Sequence, residues 1–287
     1  MNTNIRRKDV LYFYFDIFKD IKGRHKDFGS WYAVIKMLLF KAGILKEVTL
    51  PNIKNKTKVR IKSKEEYLNF WHSWHQDSTT ISDQIKYDTQ YDWLDIKDSD
   101  VVDIGANIGD SAIYFVNRGA RRVYSFEPFP YSYEKAKKNV VNYGAGEKVI
   151  LFNKAYGKPS FVMIPESFKN TEGSSLRDFN NGKRIKVISL KEIIEELKIG
   201  DAKLKCDCEG GEYNILHEDN GTLQHFSQIQ IEYHYGYLNL EKKLKDAGFD
   251  VRHTHPHREF NIDAENPNML IGYIYAKRRN SSSATTS

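Results

Sequence analysis

The segment Val101-Val102-Asp103-Ile104-Gly105-Ala106-Asn107-Ile108-Gly109-Asp110 carries the sharpest chemical signal in the chain. A short β-branched run enters a glycine-containing turn that opens a helix. In an open α/β sheet such a turn lies at the carboxyl end of a strand, where the backbone can approach a bound ligand closely. The dinucleotide fingerprint needs glycines at G-x-G-x-x-G spacing. Counted from Gly105, its other two positions hold Asn107 and Asp110, and no P-loop pattern is present either. Asp103 on the strand and Asp110 after the turn would repel a pyrophosphate and suit a ligand carrying an ammonium or a sulfonium. The next strand ends in Ser125-Phe126-Glu127-Pro128, and Glu127 follows Gly105 by 22 residues. At that distance an acid in a βαβ unit reaches ribose hydroxyls. A nucleoside with a cationic, amino-acid-like end satisfies both features, and S-adenosylmethionine fits that description.

A second group could move protons. Lys205, Asp207 and Glu209 alternate, so their side chains leave one side of a strand as it ends at the ligand edge. His234 ends a later strand. Methyl transfer to a hydroxyl needs in-line positioning and a group that takes the proton. Asp207, Glu209 and His234 are the candidates, with two plainer roles open: Asp207 as a ligand to the cofactor's ammonium, Glu209 as a helix cap. The same three could bind a divalent metal, but no spacing rule supports that and no metal is expected. His253, His255 and His257 alternate around Pro256 and read as a surface loop. Leu68, Trp71, Trp74 and His75 have the helical spacing of core packing rather than of a sugar platform.

These residues need a frame, and the chain supplies one from about residue 83. Strands are expected over Val101–Ile104, Arg122–Glu127, Val149–Asn153, Lys203–Asp207, Gln228–Tyr233, Phe249–His253 and Leu270–Ala276. Helices are expected over Ser111–Asn117, Tyr131–Asn142, Ser189–Leu197 and Leu238–Ala247, with a helix start at Gly211–His217. The alternation argues for an open, largely parallel sheet covered on both faces, and the final strand–strand pair for one antiparallel strand near the end. Residues 1–80 differ. Leu11–Ile21 and Trp31–Leu45 read as helices, Glu47–Leu50 and Lys58–Ile61 as a strand pair, and Ser63 as the cap of a helix through Trp74. Polar Asp77–Ser82 is the expected boundary. The Ser/Thr-rich tail, 280–287, is expected to be disordered.

With these motifs in place the chain resembles the FkbM family of methyltransferases. DIGANIGD, the strand-end FEP, NKAYG at Asn153–Gly157, KCDCEGGEYNIL at Lys205–Leu216 and IEYH at Ile231–His234 carry the likeness, over roughly residues 85–277. The resemblance implies an α/β Rossmann-like class I methyltransferase with a mostly parallel seven-stranded sheet. It also implies S-adenosylmethionine as cofactor and oxygen methylation of a sugar, glycan or similar hydroxylated small molecule. Asp103, Gly105, Asn107 and Gly109 would surround the methionine moiety, with Ala106 and Asp110 in the same turn. Glu127 would hold the ribose beside Pro128. Phe129 and Asn153 would lie near the adenine, Ala155 in the same wall, and Asp207 at the methyl-transfer region. Thr171–Leu176 is similar to the family's small-residue loop and could line the acceptor site. Cys206 and Cys208 depart from the aliphatic residues usual there, a change that touches packing more than chemistry.

Composition sets the outer bounds. With 40% hydrophobic and 29% charged residues in 287, the chain can bury a sizeable core, which excludes disordered, collagenous and low-complexity classes. Two cysteines, two residues apart, read as buried free thiols and favour a reducing compartment. No run reaches the ~18 apolar residues of a membrane span. Trp31–Leu45 is broken by Lys36 and Lys41, and no secretory signal is visible, so a cytoplasmic protein is expected. The +6 net charge is uneven. Residues 1–80 hold 16 Lys and Arg against 8 Asp and Glu, which leaves the remainder slightly acidic. An anionic partner therefore belongs at the basic, mainly helical N-terminal region. That region is expected to pack on residues 81–279 as a lid or to form a homodimer contact, and residues 1–45 could instead dock on an anionic membrane. A nucleic-acid (RNA) methyltransferase is the alternative function. The Asn/Asp-Pro-Pro-aromatic element of amino-methylating enzymes is missing at Asp207–Gly210, which counts against a nucleic-acid partner.

Overall fold

Ser30 starts a helix by accepting the Ala33 N–H on its hydroxyl, and the left-handed Gly43 (φ 74°) lies just beyond its end. This helix, α1 (Trp31–Lys41), therefore stops four residues short of the expected Leu45. It packs on an antiparallel pair, β1 (Val48–Asn52) and β2 (Thr57–Ile61), through Val34, Met37, Val48, Leu50 and Ile61. The computed structural model describes residues 5–6, 9, 18, 21–23, 25–26, 28–52, 56–63, 66, 89–169, 174–256 and 269–279. The expected helices over Leu11–Ile21 and Ser63–Trp74 fall largely outside these residues. The Trp71–His75 segment, the Asp77–Ser82 boundary, His257 and the tail lie outside them altogether. The chain divides into two compact units, residues 7–80 and residues 1–6 with 81–287.

The larger unit alternates strand and helix. In order come β3 (Asp100–Ile104), α2 (Asp110–Asn117), β4 (Arg122–Phe126), α3 (Pro130–Asn142), β5 (Val149–Phe152), β6 (Ala155–Tyr156), β7 (Ser160–Ile164) and β8 (Lys183–Ile188). Then follow α4 (Leu190–Leu197), β9 (Ala202–Cys206), a 3₁₀ helix at Gly211–His217, α5 (Asn220–Leu223), β10 (Phe226–Tyr233), α6 (Leu238–Asp246), β11 (Phe249–His253) and β12 (Gly272–Arg278). Seven strands form one sheet in the order β11-β12-β10-β9-β3-β4-β5. Only β12 runs antiparallel to its neighbours, β10 and β11, as the closing strand–strand pair implied.

Both faces of this sheet are covered, so its central strands are apolar on both sides. On one face Val102, Ile104, Leu204 and Ile231 pack with Ile193 of α4 and Leu240 of α6. On the other, Val101 and Val123 pack with Ile113 and Phe115 of α2 and Val140 of α3. A second sheet, β6-β8-β7, was not anticipated between the third strand and α4. Its outer strand is exposed along much of its length, so the hydrophobic signal that marks central strands is weak there.

The backbone at the carboxyl edge is close-packed. Gly105 follows β3 at φ 79°, and a Cβ built on it would lie 1.7 Å from the Asp207 carbonyl oxygen, beyond β9. Two separate conditions, a left-handed backbone and a backbone oxygen in van der Waals contact, therefore demand glycine. Gly105→Ala is expected to lower unfolding free energy by more than about 3 kcal/mol in urea titration. A loss below about 1 kcal/mol would show that the two strand ends can part freely.

Candidate active site

The carboxyl ends of β3, β4 and β9 open onto a cavity of about 220 Å³. Gly105 and Asn107 form one side, and Glu127, Pro128 and Phe129 another. Ala155 and Tyr156 close the third, and Asp207, Cys208 and Glu209 the fourth, with Ser174 and Leu176 over them. Glu127 is buried, and both its oxygens are held: Asn107 N–H donates to Oε2 and Phe129 N–H to Oε1, each at 2.9 Å. Burial pushes its carboxyl up to about 8 even though these two donors favour the charged form. Each carboxylate oxygen keeps a second acceptor site. Asn153 ties the wall from behind by donating to the carbonyls of Glu127 and Pro128, and its own Oδ1 is buried without a hydrogen-bond partner in the structure.

One buried cation fixes the floor. Asp103 and Lys205 are register partners on adjacent parallel strands, and the Lys205 ammonium lies 3.3 Å from Asp103 Oδ1 and 3.8 Å from Asp207 Oδ2. It donates to the carbonyls of Gly105 at 2.7 Å and Ile104 at 3.3 Å. Burial alone would lower its pKa. Tyr91, Asp103, Asp207 and Asp110 more than reverse this, so the ammonium is held charged well above its ordinary range. The other oxygen of Asp103 accepts the Ser111 and Ser125 hydroxyls at 2.9 and 3.1 Å.

The expected proton acceptors do converge. Strand β9 stops at Cys206, and Glu209 and Gly210 take left-handed backbones (φ 53° and 101°) that break the alternation after Asp207. Glu209 Oε2 thereby comes within 3.2 Å of His234 Nε2, while His234 Nδ1 lies 3.0 Å from Glu212 Oε1. Glu212 is fully buried and also accepts the backbone N–H of His234 and of Gly210. Burial of His234 opposes its charge, but hydrogen bonds to Glu209 and Glu212 outweigh this and raise its pKa well above 6.5. Burial likewise raises Asp207, and it pushes the nearby Glu232 up to about 8. Ligand atoms of Asp207, Glu209 and His234 lie within 4.8 Å of one another, close enough to share one cation.

Of the expected cofactor residues, Gly105, Asn107, Glu127, Pro128, Phe129, Ala155 and Asp207 line the cavity. Five stand behind it. Asp103 is fully buried beneath α2, because its strand face is the one α2 covers. Ala106 is buried and bonded to the Phe126 carbonyl. Gly109 (φ 88°) packs against Ala136 of α3. Asp110 begins α2 with its carboxyl pushed up to about 6, chiefly by burial, and Asn153 braces the wall. His234 is also behind the wall, 2% exposed, and reaches the cavity through Glu209. Cys206 joins the core as expected, whereas Cys208 lies past the strand end in the cavity wall, and both thiols are free. Lys205 as a cation bridge, Glu212 as the brace of His234, and Glu232 were not anticipated. For Glu212 the only sequence signal was its place in the EGGE element.

A seven-stranded, mostly parallel sheet with one antiparallel strand, bearing an acidic pocket at its carboxyl edge, is a Rossmann-like methyltransferase architecture. The model of the methyltransferase FkbM domain matches residues 103–251, and the chain belongs to that family. No curated protein sequence matches it. Among solved structures, it is similar to precorrin-6y C5,15-methyltransferase from Geobacter metallireducens GS-15, at 14% identity over 67% of this chain and 86% of that one, with TM-score 0.36. It is also similar to precorrin 8W decarboxylase from Methanobacterium thermoautotrophicum, at 17% identity over 64% and 83%, with TM-score 0.36.

The raised pKa of His234 has a consequence for stability. The stabilisation from its imidazolium is complete below about pH 6.5, the unfolded value, and is lost as pH rises through the higher folded value. Urea unfolding of the intact chain is expected to show this decline, and His234→Gln to abolish it. Glu212→Ala should cost about 3 kcal/mol, because it leaves two buried N–H groups of His234 and the half-buried N–H of Gly210 without an acceptor. A pH-independent stability equal in wild type and His234→Gln would contradict the charged state.

Proposed function

We infer that the chain is an S-adenosylmethionine-dependent methyltransferase that transfers the methyl group to a hydroxyl of a sugar, glycan or similar small molecule. The observation that carries this reading is the joining of two sites at one edge: the Glu127 wall and the Asp207 and Glu209 carboxyls line a single cavity, with His234 behind Glu209.

The donor set fits the cofactor. Glu127 has spare acceptor sites for the two ribose hydroxyls, and Phe129 gives an apolar flank for the adenine. Asp207 and Glu209 make the opposite wall acidic, which suits an ammonium and a sulfonium. S-adenosylmethionine, when bound, supplies an electrophilic methyl group. Glu209 then takes the acceptor hydroxyl's proton, while the His234 imidazolium, fixed by Glu212, holds the Glu209 carboxylate in place. In this assignment Asp207 faces the cofactor's cationic end and Ser174 and Leu176 border the acceptor.

Calorimetric titration with S-adenosylmethionine should show saturable binding, weakened at least roughly tenfold by Glu127→Gln. Ribose hydroxyls bond best to the ionised carboxylate, so affinity should fall, by up to about tenfold per unit, as pH drops below about 8. Equal affinity in wild type and Glu127→Gln at pH 8 would overturn the ribose assignment. Glu209→Gln should cut turnover about 10²- to 10⁴-fold with cofactor affinity kept. EDTA should leave turnover unchanged; loss restored by Mg²⁺ would reassign the three-residue group to a metal. A salt-sensitive shift of RNA on a native gel would favour the nucleic-acid alternative.

A further inference from the structure

Helix α1 is apolar all round. Its sequence, WYAVIKMLLFK, holds two charges, Lys36 and Lys41, both half-buried. Ala33, Val34, Met37 and Phe40 face the small core of residues 7–80. The outward face is not the polar face of a water-soluble helix. It presents Trp31, Tyr32 (68% exposed), Ile35 (52%) and Leu38, and Ile44 (68%) follows just after the helix. Lys36 Nζ sits 4.4 Å from the centroid of the Tyr32 ring, beside this stripe. The surroundings are basic. Residues 18–46 hold seven Lys and Arg against two Asp, and Lys22, Lys26 and Lys46 are exposed.

We propose that this face of α1 docks on the surface of an anionic lipid bilayer. Trp and Tyr carry an apolar body and a polar tip and collect at membrane–water interfaces. The aliphatic residues between them supply buried apolar area, and the basic rim supplies attraction to anionic headgroups. At 11 residues the helix lies in the interface plane rather than across it, and among the described residues no helix is long and apolar enough to span a membrane. Charge selects the occupant. A second copy seated on this face through a two-fold contact would bring like-charged rims together, whereas an anionic surface is complementary to them.

The test is co-sedimentation of the full chain with vesicles of phosphatidylcholine alone and of phosphatidylcholine mixed with phosphatidylglycerol. Binding to the anionic vesicles is expected to exceed binding to the neutral ones by roughly tenfold or more and to fall as salt rises. Ile35→Asp and Leu38→Asp, both outward-facing, should each cut that binding several-fold with little change in the thermal midpoint. The pair Lys22→Glu and Lys26→Glu should do so through charge alone. Equal binding to both vesicle types, no binding to either, or binding untouched by Ile35→Asp would overturn the proposal. So would a homodimer in analytical ultracentrifugation that Ile35→Asp dissociates.

Discussion

A single buried ammonium holds the carboxyl edge together. Lys205 lies between the ends of two adjacent parallel strands, close to Asp103 and Asp207 and donating to the carbonyls of Ile104 and Gly105. Removing the Lys205 charge would leave the Asp103 carboxylate buried without a counter-charge, a cost far above that of a surface ion pair. The carbonyl of Gly105 accepts from Lys205 at 2.7 Å, so the ammonium anchors the left-handed turn that lines the cavity. The fold therefore defines the floor of the site through electrostatics as much as through apolar packing.

From that floor the two halves of the site diverge in chemistry. Glu127 is an isolated buried carboxyl on backbone donors, and burial dominates its behaviour. His234 is equally buried but sits between two carboxylates, and those partners dominate instead. The contrast follows from neighbours rather than depth. The backbone at Glu209 and Gly210 is what makes the second arrangement possible, since a continued strand would have carried the Glu209 side chain elsewhere.

Much of this was legible in the sequence because the signals were local. The β-branched run ending at Ile104, the glycine after it and the strand-ending Pro128 fix element boundaries within a residue or two. The largely parallel sheet followed from the alternation of strands and helices, and an antiparallel strand near the end from the closing strand–strand pair, whereas the strand order came only from the structure. Three things were not legible. The β6-β8-β7 sheet has a half-exposed outer strand with a weak pattern. Asp103 was read as a ligand residue because it precedes the turn, yet which strand face α2 covers is a tertiary fact that sequence spacing does not state. Lys205 and Glu212 act on residues distant in the chain, Lys205 on Gly105 across 100 positions, so no local window shows their partners.

The most direct test is a double-mutant cycle on the intact protein, comparing urea unfolding of Lys205→Met, Asp103→Leu and the double variant. The account predicts that each single change costs about 3 kcal/mol or more and that the double variant costs clearly less than the two together. Additive losses would contradict the claim that this buried ion pair organises the edge on which the site is built.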